Sequence, residues 1–73
     1  MKEVPSSKSL RQRILAHAIE TASGLDKSRP LSRQELEAVA RRVLGELELS
    51  GSYIGWTMVA VASAFWQDQV AAV

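Results

Sequence analysis

Cysteine is missing from this 73-residue chain, and that absence removes disulfide frameworks and every thiolate metal site. Proline and glycine are scarce, at two and four residues, so few positions interrupt a regular element. Charge of one sign is lacking too. Nine Lys and Arg nearly balance eight Asp and Glu, which leaves no global field to draw in nucleic acid or anionic lipid. The first nine residues hold no apolar core of a signal peptide. The uncharged run from Tyr53 to Trp66 falls short of the roughly 20 apolar residues that a membrane-spanning helix needs. These absences lead us to expect a cytoplasmic chain that does not enter a membrane.

Chemical motifs are equally sparse. His17 is the single histidine, and no nucleophile or orienting group stands at a spacing that would make it a catalytic base. Glu46 and Glu48, like Glu35 and Glu37, lie two residues apart and fall on different sides of a helix. Gly51 and Gly55 lack the spacing of a phosphate-binding loop. We expect no catalytic residue, no metal ligand and no cofactor in this segment, and leave the activity of any larger parent open.

What is present is helical periodicity. Residues 1–8 mix charge, Pro5 and serines without period and read as a flexible arm that adds little to a core. Residues 9–73 read as one all-α domain, a small three-helix bundle with helices near 9–23, 33–49 and 53–72. In the first helix Leu10, Ile14, Leu15, Ala18, Ile19 and Ala22 share one half of the wheel, and Gly24 stands where a left-handed terminating residue belongs. The second opens on Ser32 and Glu35, a capping box, with Leu31 and Leu36 placed for a hydrophobic staple. Leu36, Val39, Ala40, Val43, Leu44 and Leu47 form its apolar stripe, and Glu37 with Arg41 makes a favourable i,i+4 pair.

The third helix departs from this pattern. Ile54, Met58, Val61, Ala62 and Phe65 share one side, and Trp56, Val59, Trp66, Val70 and Val73 share the other. Only a narrow strip through Tyr53, Thr57, Ala64, Asp68 and Ala71 is small or polar. A central helix sandwiched between the other two would use both faces within the bundle and needs no function to explain them. The second face, with its tryptophans, is of the kind that anchors interfaces. The expected core is Leu10, Ile14, Ala18, Leu36, Val39, Val43, Leu47, Ile54, Met58, Val61 and Phe65.

The leading expectation is a non-catalytic docking or accessory domain. It packs through Trp56, Val59, Trp66, Val70 and Val73 on the downstream part of a larger protein or on a second copy. The alternative is a small nucleic-acid-binding module using Lys8, Arg11, Arg13, Arg41 and Arg42. Against it, the third helix carries no basic residue to present to a groove.

The run YIGWTMVAVASAFWQDQVAAV, residues 53–73, resembles the helical segment ahead of a cysteine-rich domain in an uncharacterised group of bacterial proteins, some of which carry a polyprenyl synthetase label. The likeness rests on aromatic and aliphatic residues rather than on a chemical motif. It implies a cysteine-rich part beyond Val73 and an N-terminal place for this chain in a larger bacterial protein. Read as the N-terminal segment of a polyprenyl synthetase-like enzyme, the chain lacks the aspartate-rich metal and diphosphate motifs such an enzyme needs.

Overall fold

The first helix, α1 (Lys8–Ser23), begins where the hydroxyl of Ser7 accepts from the backbone N–H of Leu10 at 3.3 Å. A computed structural model describes residues 4–71, with side chains described as far as Gln67. Besides α1 it contains α2 (Arg33–Glu46) and α3 (Ile54–Ala71), the latter led in by a 3-10 turn at Gly51–Tyr53. The chain is an all-α three-helix bundle. Its radius of gyration, 11.7 Å, is close to the ~11 Å of a folded chain of this length.

Pro5, Ser7 and Lys8, expected within a flexible arm over residues 1–8, belong to the fold. Pro5 is fully buried, Ser7 caps α1, and the Arg11 guanidinium reaches the carbonyl of Ser6 at 3.5 Å. Burying Pro5 leaves no backbone donor unsatisfied, because proline has no N–H.

Helix ends also differ from expectation. Gly24 is right-handed, at φ −87°, not left-handed. The end of α1 is closed instead by short bonds from Gly24 N–H to Thr21 and from Leu25 N–H to Ala22, together with the Lys27 ammonium, which donates to the carbonyls of Ala22 and Leu25. The same ammonium lies 5.2 Å from the centre of the Phe65 ring. The left-handed residue is Glu48, at φ 57°. It ends α2 at Glu46 rather than near residue 49 through two Schellman bonds, Leu49 N–H to Leu44 O at 2.9 Å and Glu48 N–H to Gly45 O at 3.1 Å.

The capping box of α2 forms as its residue types require. Ser32 Oγ accepts from the Glu35 N–H at 3.1 Å, and Glu35 Oε1 accepts from the Ser32 N–H at 3.1 Å. Arg29 adds a two-pronged bond to the same carboxylate at 2.8 and 2.7 Å. These donors hold the Glu35 carboxyl down at about 2, from an ordinary 4.5, with the Arg29 guanidinium the largest cause.

Both α1 and α2 lean chiefly on α3 and touch each other least. The surfaces that meet mix alanines with larger apolar side chains: Ile14, Ala18 and Ala22 from α1, Ala40, Val43 and Leu44 from α2, and Thr57, Ala60, Val61, Ala64 and Phe65 from α3. Of the expected core, Ile14, Ala18, Val43, Val61 and Phe65 are buried, whereas Leu10, Leu36, Val39, Leu47, Ile54 and Met58 are only half-buried. Leu15 and Ile19, placed on the apolar half of α1 by the wheel, are exposed at 40% and 57%. α1 is seated along the Ile14–Ala18–Ala22 line, which leaves the flank bearing Leu15 and Ile19 outside. Thr57 is buried without penalty because its hydroxyl donates to the Tyr53 carbonyl at 2.9 Å.

The two terminators give paired predictions. Glu48→Gly relieves a left-handed backbone and is expected to raise unfolding stability by up to about 1 kcal/mol. Gly24→Ala meets only the Thr21 carbonyl at 3.6 Å and is expected to stabilise by about 0.4–1 kcal/mol through the unfolded chain. Urea unfolding of each variant checks both signs, and a left-handed Gly24 in solution would reverse the second.

Candidate functional site

Thr57 and Ala64, from the strip of α3 that reads as small and polar, face the core beside Val61 and Phe65, and Val59 and Trp66 face outward. Val59 is 68% exposed and Trp66 63% exposed. Trp56 behaves differently from its expected companions, being half-buried against the Ile14, Ala18, Val43 and Val61 cluster. Val73 lies outside the described residues, as does the side chain of Val70.

Beside this outward face runs an apolar groove in two continuous parts that share Leu36, Val59 and Ala62. Pro30, Leu31, Phe65 and Trp66 line one end. Gly55, Met58, Ser52, Arg33 and Glu37 line the other. The wall at the first end is fixed by electrostatics. The Arg29–Glu35 fork and the capping box pin residues 29–32 to the start of α2, which sets Pro30 and Leu31 against α3. Charge is absent from α3 between Ile54 and Gln67, so the whole face can be desolvated without stripping water from an ion.

A second cluster joins α1 to α2. His17 Nε2 lies 2.6 Å from Glu46 Oε1, and Arg42 Nε donates to Glu46 Oε2 at 3.2 Å. An ionised carboxylate only accepts, so Nε2 carries the shared proton. The hydrogen bond from His17, then that from Arg42, holds the Glu46 carboxyl below its ordinary range. Glu20, Thr21, Gly24 and Leu25 complete a shallow cleft around the pair. The arrangement is a cross-link between the two helices that touch least. The sequence gives no sign of it, since 29 residues separate the partners.

The basic residues divide. Arg41 pairs with Glu37 and Arg42 with Glu46, both at 3.2 Å. Lys8, Arg11 and Arg13 are exposed on the first half of α1. Among the described residues no group of three side chains could hold a metal ion, and no helix is long and apolar enough to cross a membrane. Compared with known proteins, the chain matches no protein family, no curated protein and no solved structure.

Glu46 supplies a prediction with a definite sign. Its carboxyl titrates lower in the folded chain than in the unfolded one, so its contribution is complete above the ordinary glutamate value of 4.5 and is lost as pH falls below it. Glu46→Gln is expected to flatten the fall in stability with acid over that window. Urea midpoints of the two proteins, compared across the window, check this, and parallel curves would refute it.

Proposed function

We propose that the chain is a non-catalytic helical docking domain that binds a protein partner through the outward face of α3. The observation that carries this reading is the exposure of Val59 and Trp66 beside a continuous apolar groove. Isolated exposed hydrophobic residues are common on soluble proteins, but a tryptophan flanked by a lined groove is the composition of an interface anchor. The groove is walled by a clamped loop and by α2, so the surface is formed before a partner arrives, which lowers the ordering cost of binding. The fold's own needs are met by the other side of α3, where Thr57, Ala60, Val61 and Ala64 pack. Retaining large apolar side chains on the outer side is explained by a partner and not by the bundle.

The nucleic-acid reading draws less support. Two of its five arginines and lysines, Arg41 and Arg42, are neutralised by carboxylates one turn away. The groove itself offers a nucleic acid neither a basic stripe nor a stacking platform wider than one indole.

The test separates retention for folding from retention for binding. Val59→Lys is expected to change unfolding stability in dilute solution by no more than about 0.5 kcal/mol. In a Trp56→Phe background, Trp66 should show red-shifted, readily quenched emission. Blue-shifted emission from Trp66 in the dilute chain, or a large loss of stability in Val59→Lys, would mean that the face is already used within the bundle and would end the docking reading.

A further inference from the structure

The apolar stripe of α3 is self-complementary in a single antiparallel register. Gly55, Val59, Ala62 and Trp66 follow one another at intervals of four, three and four residues, the a/d spacing of a helix–helix seam. They alternate small and large in an inverted sense about the midpoint between Ala60 and Val61. A second α3 laid antiparallel about a two-fold axis through that midpoint sets Val59 against the partner's Ala62 and Trp66 against the partner's Gly55. Each large side chain then meets a small one, and each pair occurs twice, as an isologous interface requires. A parallel pairing would instead set tryptophan on tryptophan and glycine on glycine, leaving one layer overfilled and one empty.

We propose that the partner of this face is a second copy of the chain, joined through an antiparallel α3–α3 seam in which Trp66 of each copy fills the groove above Gly55 of the other. This inference rests on the docking reading and names its occupant. Three further observations support it. Gly55 is buried at the groove's floor and presents no side chain to obstruct an indole. Glu37 and Ser52 line that same end and supply polar neighbours for the indole N–H of the partner's Trp66, of the kind a buried tryptophan needs. Charge is also compatible with a copy of itself. The seam carries no ion from Ile54 to Gln67, and the groove's rim carries one residue of each sign, Arg33 and Glu37. A rim of one sign would repel its own copy.

The absence of native cysteine makes the register directly testable. Chains carrying Val59→Cys and chains carrying Ala62→Cys are mixed and oxidised under mild conditions, while sedimentation equilibrium follows the unmodified chain over a wide concentration range. The expected result is a monomer–dimer equilibrium, a blue shift of Trp66 emission on association in the Trp56→Phe background, and preferential formation of the mixed 59–62 disulfide. Trp66→Ala and Val59→Lys should each weaken association on the order of thirtyfold, as loss of an interface anchor does. A chain that stays monomeric at every concentration overturns the proposal, and so does a dimer that forms 59–59 disulfides in preference. In the monomeric case, red-shifted Trp66 emission would leave the docking reading standing and remove only the second copy, whereas blue-shifted emission would remove both.

Discussion

The packing of one strip of α3, in which Thr57 and alanines sit beside Val61 and Phe65, against both neighbouring helices is the constraint on which the rest of this structure depends. α3 approaches its two neighbours along Thr57, Ala60, Val61 and Ala64, meeting Ile14, Ala18 and Ala22 on one helix and the Ala40, Val43 and Leu44 surface on the other. Small residues let backbones come near enough for many weak contacts to accumulate, and they admit Thr57 because its hydroxyl is satisfied within its own helix. The consequence falls on the opposite side. A helix that turns this strip inward carries Val59 and Trp66 outward, where the two neighbours do not cover them.

The periodicity of the sequence was sufficient for the number, order and approximate span of the helices, and for the capping box at Ser32 and Glu35. It placed Val61 and Phe65 on the inner side of α3 and misjudged their companions there. The apolar pattern ranks Ile54 and Met58 as core and Thr57 and Ala64 as rim, yet the first two are half-buried and the last two are buried, and Trp56, expected on the outer face, is half-buried as well. The information lacking in a single helix is which line of its surface the neighbouring helices cover, because that line is set by the assembled bundle. The same cause misplaced Leu15 and Ile19, which the wheel assigns to the core half of α1. Of the candidate face, Val59 and Trp66 were legible from the doubled apolar pattern. The groove beside them was not, because its walls come from Pro30, Leu31 and Leu36 on other segments.

Termination of the helices illustrates a second limit. Glycine is a good sign of a left-handed residue because only glycine adopts that conformation freely, and Gly24 stands at the right place for one. The bundle uses Lys27 instead, whose ammonium satisfies the carbonyls of Ala22 and Leu25 while its charge rests over Phe65. With those carbonyls already occupied, no left-handed turn is required at Gly24. At the end of α2 no such cation is recruited, and the chain adopts the left-handed turn at Glu48 despite its side chain. Leu49 thereby returns toward Leu44 and joins the half-buried rim of the core, so burial of one leucine offsets a backbone conformation that glutamate disfavours.

The electrostatics follow the same division of labour. None of the four ion pairs described uses a residue of α3: His17 and Arg42 pair with Glu46, Arg29 with Glu35, and Arg41 with Glu37, which lines the groove beside that helix. They are largely exposed, so each adds little to stability by itself. Their effect is positional. The Glu46 cluster ties α1 to α2 where direct packing is thinnest, and the Arg29–Glu35 fork holds the connector whose Pro30 and Leu31 wall the groove. A loop fixed by charge beside a helix face free of charge is a preformed apolar surface with a defined edge. The charges determine where the surface is, and the uncharged stripe from Gly55 to Trp66 determines what it can accept.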